Sequence, residues 1–189
     1  RPSGYELMIF AGHRVVEAFT GADSTQSWIL TAQGVSLCCR IPAVAAIYLL
    51  GCLIAGRHSS FRGCLILLVL PEPAHIGSDV LREWPALLFM SAGLLCLVYG
   101  IRHKRLLPFG LLGLLGGASF RIRPESAQII LFAGIILLAL LFRSHYKNGR
   151  KLWAGAILLM SAGFAVPFLT YAGFSGQLTT DFLKGYGKQ

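Results

Sequence analysis

Between Cys64 and Gly100 the chain reads CLILLVLPEPAHIGSDVLREWPALLFMSAGLLCLVYG. Two apolar runs flank a polar insert, PEPAHIGSDVLREW (71–84), which carries Glu72, His75, Asp79, Arg82 and Glu83. The runs neither alternate nor keep a one-sided helical stripe; they are apolar all round. Such segments suit a bilayer better than a water-facing surface. The insert then reads as a wet connection between two spans, and the rest of the chain can be divided by the same test.

Apolar blocks recur at Ile41–Gly56, about Gly63–Leu70, Pro85–Ile101, Leu106–Phe120, Gln128–Phe142 and Leu152–Gly173. Composition agrees with them. The chain is 55% hydrophobic and 13% charged, with a mean hydropathy of +0.66, whereas a soluble domain carries about 25% charged residues. The expected fold is all-α: a polytopic membrane helical bundle of about six transmembrane segments. The second block has only about 8 apolar residues, which favours a short, tilted or re-entrant element. Three regions follow: 1–40 on the outer side, 41–173 as the bundle, and 174–189 as a short polar tail.

The first region divides in two. YELMIFAGHRVVEAFT (5–20) sets Leu7, Phe10, Val15 and Phe19 among His13, Arg14 and Glu17. It is too polar and too short to cross, and suits an amphipathic helix lying at the interface. WILTAQGVSLCC (28–39) then leads into Arg40 and Pro42. A helix break is expected there, because proline lacks an N–H donor and a mid-bilayer arginine is costly. The break leaves Arg40 at the outer headgroups.

Charge supplies a test of topology. If connections alternate between two sides, one side receives Arg57, Arg62, Arg102, Lys104, Arg105, Arg143, Lys147, Arg150 and Lys151, and no acid. The other receives Glu6, Glu17, Asp23, Glu72, Asp79, Glu83, Glu125 and Asp181. Clustered Lys and Arg in short loops mark the cytoplasmic face. Both termini and the 71–84 insert are then outside, in a plasma or inner membrane. The basic loops are candidate lipid-binding segments, through Arg102, Lys104, Arg105, Arg143, Lys147, Arg150 and Lys151, for anionic headgroups. Positive-inside topology accounts for the net charge of +9. No basic stripe with interleaved aromatics calls for nucleic acid.

The chemistry-bearing candidates are His13 with Glu17 and His75 with Asp79, each pair four residues apart and so on one helix face. All four fall on the outer side, where they could act as general base and acid or ligate a metal whose identity is unknown. The plainer reading makes them polar residues of wet segments. Cys38, Cys39, Cys52, Cys64 and Cys96 lack C-x-x-C spacing and read as small apolar fillers. GLLGLLGG (110–117) contains Gly113-x-x-x-Gly117, a spacing that lets helix backbones approach. GFSG (173–176) lacks the glycine two after serine that a nucleophile elbow needs. LLFMSAG (87–93) and ILLMSAG (157–163) repeat a pattern on two spans of opposite direction, the arrangement of an inverted repeat.

Three classes of function follow. The spans are almost free of ionisable groups, which fits a non-catalytic membrane subunit or assembly factor with a membrane-protein partner. A small enzyme acting on a lipid or lipid-linked substrate at the outer leaflet would use the two His–acid pairs, with Arg121 and Arg123 near an anionic headgroup. A facilitator-type transporter is the third. No cofactor is expected, since His58, His103 and His145 fall in the basic loops and offer poor haem ligation.

Overall fold

A computed structural model describes residues 4–21, 24–69, 83–143 and 147–175. Their regular structure is helical: α1 (Gly4–Thr20), α2 (Thr25–Ala55), α3 (Arg57–Val69), α4 (Glu83–His103), α5 (Leu107–Ile122), a 3-10 turn (Pro124–Ala127), α6 (Gln128–Arg143) and α7 (Lys147–Ser175). Four helical stretches are long and apolar enough to cross a membrane: Thr25–Ala55, Glu83–His103, Pro124–Arg143 and Gly149–Thr170. At about 1.5 Å per residue, α4 is about 31 Å long, close to the apolar thickness of a bilayer. α5 is apolar but shorter, and α3 is shorter still.

One expectation fails. α2 runs unbroken through Arg40 and Pro42. Its start is set by a capping box, in which Ser24 Oγ accepts from Ser27 N–H and Ser27 Oγ accepts from Ser24 N–H, both at 3.2 Å. Pro42 removes one donor, but residues on both sides of it are held by neighbouring helices: Val35 and Cys39 before the proline and Ala43 and Val44 after it share one apolar cluster with Met8 and Trp84. α2, about 46 Å long at 1.5 Å per residue, overshoots the bundle, so its middle lies level with the first turn of α4.

Close contacts at the glycines give the directions of the helices. Gly100 lies against Phe109, Gly93 against Leu112, and Ala86 packs with Ile122, so α4 and α5 are antiparallel. Gly110 meets Leu159, Gly113 meets Met160 and Phe164, and Gly117 meets Phe164 and Pro167, so α5 and α7 are parallel. Arg40 stacks on Trp84 while Arg102 reaches Leu53, so α2 and α4 are parallel. Gly51 abuts Ser60, which turns α3 back along α2. The two MSAG segments therefore do run in opposite directions, and Gly93 and Gly163 both pack on α5.

The core lies between α4, α5, α6 and α7. Phe109, Leu112, Ala133, Leu137 and Ala156 are completely buried there, with Leu97, Ile129, Trp153 and Met160 around them. The Gly113-x-x-x-Gly117 face does what its spacing suggests. A methyl group at Gly113 would fall 2.1 Å from the carbonyl oxygen of Met160, and one at Gly117 3.0 Å from that of Phe164. α5 and α7 thus touch backbone to backbone.

Candidate functional site

The ends of the bundle differ in chemistry. One end gathers the close of α2, the α4–α5 turn, the close of α6 and the start of α7. It carries Arg57, Arg102, Lys104, Arg105, Arg143, Arg150 and Lys151, and among the described residues no acid. Arg102 Nη1 donates to Leu53 O at 3.0 Å, capping a carbonyl that the end of α2 leaves open. Lys104 takes a left-handed conformation (φ 52°), and Arg105 N–H donates to Gly100 O at 3.3 Å, closing α4 in a Schellman turn. Arg105, Arg143, Arg150 and Lys151 are exposed.

The opposite end is built by α1 packing across α2, α4 and α5. Tyr5 is buried with Ala86 and Ile122, and Met8 joins that cluster to the one formed by Cys39, Ala43 and Trp84. Gly4 allows a close approach here, since a Cβ would sit 3.0 Å from that of Arg121. Arg123 donates from Nη1 to Glu83 Oε2, and from Nε to Glu125 Oε2 at 3.0 Å. These contacts, the hydrogen bond donated to Glu125 foremost and the charge of Glu83 next, push the Arg123 guanidinium above its ordinary pKa. A raised pKa adds stability at every pH below the ordinary value, so this pairing is constant across the physiological range. Both partners are more than a third exposed, so its contribution is small, at most about 1 kcal/mol. The Arg40 guanidinium lies over the Trp84 ring, 4.9 Å from its centre, and Trp84 is itself buried.

The expected site residues fall as follows. His13 is buried, its ring stacked on Trp28 at 3.7 Å between centres. Glu17 accepts from Arg14 at 3.1 Å, and Arg14 in turn lies over Phe10. His75 and Asp79 lie outside the described residues, so convergence with His13 and Glu17 is not on view. Among the described residues no three His, Cys, Asp or Glu side chains gather in a way that could hold a metal ion. Two features escaped the sequence reading. One is the Arg40–Trp84 stack, whose only signal is a tryptophan at the edge of an apolar block. The other is the Glu83–Arg123–Glu125 triad, in which Glu83 stands 40 residues before Arg123.

α1 and the first half of α2 form an antiparallel hairpin. His13 faces Trp28, Gly12 faces Thr31 and Val35, and Met8 packs with Val35 and Cys39. An apolar groove of about 870 Å³ runs between them, lined by Met8, Val15, Leu30, Val35, Cys38 and Cys39 among others. No protein-family model matches this chain, and no significant match was found among curated proteins or solved structures.

Proposed function

We propose that this chain is a multi-pass membrane protein, crossing six times, that serves as a non-catalytic subunit or assembly factor of a membrane system. The filled core carries the reading. α5 and α7 meet through glycine backbones, and the space shared by α4 to α7 is occupied by Phe109, Leu112, Ala133, Leu137 and Ala156. A packed, apolar interior of this kind supports a structural role more than a passage for solute or an intramembrane reaction centre. The outer surface supports it as well. Ile29, Leu30, Leu37 and Ile41 project from α2 with most or about half of their surface open.

In this reading α2, α4 and α6 run one way and α3, α5 and α7 the other. The end bearing Arg102, Lys104 and Arg105 faces the cytoplasm, and both termini face outward. His13, lying on Trp28, and Glu17, holding Arg14, act as structural groups of the hairpin. The test is purification of the full chain in mild detergent. A stoichiometric membrane-protein partner is the expected outcome. A solitary chain that turns over lipid, with the activity lost in His13→Ala, would replace this reading with the enzyme.

A further inference from the structure

The hairpin end of the molecule holds an unusual set of buried polar groups. The Tyr5 hydroxyl, Ser36 Oγ, Trp84 Nε1 and Ser119 Oγ are all inaccessible and make no hydrogen bond. Buried serines elsewhere do not share this. Ser60 Oγ donates to Gly56 O at 2.7 Å and Ser91 Oγ to Leu88 O at 3.1 Å. A buried donor without a partner costs about 1–3 kcal/mol, so several at one junction point to a missing acceptor.

Charge says which acceptor. Arg40 stands one turn after Ser36 and stacks on the Trp84 ring, and among the described residues no carboxylate pairs with it. Glu83, the residue before Trp84, could repel an anion, but it is held by Arg123. The apolar groove between α1 and α2 leads to this place. Met8, Val35 and Cys39 line the groove and belong to the apolar cluster that includes Trp84, and Cys39 precedes Arg40. A cationic, donor-rich head and an apolar groove of about 870 Å³ thus adjoin through Met8, Val35 and Cys39.

We propose that this junction binds one membrane lipid with a phosphate headgroup, the phosphate against Arg40 and Trp84 Nε1–H and an acyl chain in the α1–α2 groove. The guanidinium offers charge-assisted hydrogen bonds to phosphate oxygens, and Trp84 adds a neutral donor. The inference rests on the membrane reading above, and the two can be separated. Alkaline extraction tests embedding alone: a chain washed from membranes refutes both. An embedded chain that retains no phosphate lipid refutes only the site.

The experiment is native mass spectrometry of the full chain, released from nanodiscs holding phosphatidic acid or diacylglycerol with the same acyl chains. One retained phosphatidic acid per chain and no retained diacylglycerol is the expected result; equal retention of both overturns the proposal. Arg40→Gln is expected to weaken retention about tenfold or more, the loss of one charge-assisted bond. Trp84→Phe gives a smaller loss. Arg57→Gln, at the opposite end of the bundle, leaves retention unchanged; if it alone abolishes binding, the lipid belongs to that end. Displacement of the lipid by millimolar inorganic phosphate would assign the site to free phosphate and sink the lipid. If a variant fails to fold, phosphatidic acid with a photoreactive acyl chain decides on the wild-type chain. Crosslinks within α1 and residues 24–39 support the groove, and crosslinks confined to other helices overturn it.

Discussion

At Gly113 a single hydrogen atom in place of a side chain decides how two helices meet. An added methyl would fall 2.1 Å from Met160 O and 2.8 Å from Phe164 N. Both are backbone atoms of α7, which cannot turn aside as a side chain can. Gly113→Ala must therefore separate the helices, and a loss of about 1–3 kcal/mol is expected from such overpacking. Thermal unfolding in detergent would measure it. Gly134→Ala is the matched control, because the nearest atom to its methyl would be the flexible end of Met160 at 3.9 Å. Equal melting temperatures for the two variants would show that the α5–α7 contact is looser than described. The spacing of Gly113 and Gly117 made close packing legible in the sequence. The partner was not, since nothing along the chain says that α5 approaches α7 rather than another helix.

At the scale of elements, ends are decided by local chemistry and continuity by neighbours. α4 stops in a Schellman turn, a motif that usually places glycine where Lys104 stands with φ 52°. The left-handed backbone costs a side-chain-bearing residue about 1–2 kcal/mol. Lys104→Gly is accordingly expected to stabilise the protein, by up to about 1 kcal/mol after glycine's own entropy is subtracted. A fall in melting temperature would mean that the lysine makes contacts worth more than the strain it carries. α2 illustrates the other half of the rule. Its composition around Arg40 and Pro42 argues for two helices, and the structure has one. Local propensity is a weak guide where Met8, Trp84 and the facing helices grip both sides of the proline.

For the whole molecule, the charge asymmetry read along the chain becomes a difference between two ends in space. Arg57, Arg102, Lys104, Arg105, Arg143, Arg150 and Lys151 share one end, while Glu83, Arg123 and Glu125 meet at the other. Under the six-crossing reading, cysteine accessibility should report position 103 inside and position 125 outside. Converting Arg102, Lys104 and Arg105 together to glutamine should yield a mixture of orientations, since Lys and Arg in short loops set the direction of insertion. Both positions reporting one side would end the six-crossing model. An unchanged single orientation in the triple variant would remove these loops as its determinant.

By itself the sequence determined the helical class, the placing of the apolar blocks, the segregation of charge and the glycine face. Each depends on which residues are near one another along the chain, and hydropathy, short-loop charge and small-residue spacing are properties of that kind. Only the tertiary structure decided that α5 runs parallel to α7, that α2 continues past Arg40, and that Arg40 rests on Trp84. It also brought Tyr5, Ser36, Trp84 and Ser119 to one end as buried donors. These outcomes depend on which helices become neighbours, a choice made by the packing of whole faces. No local run of residues carries it.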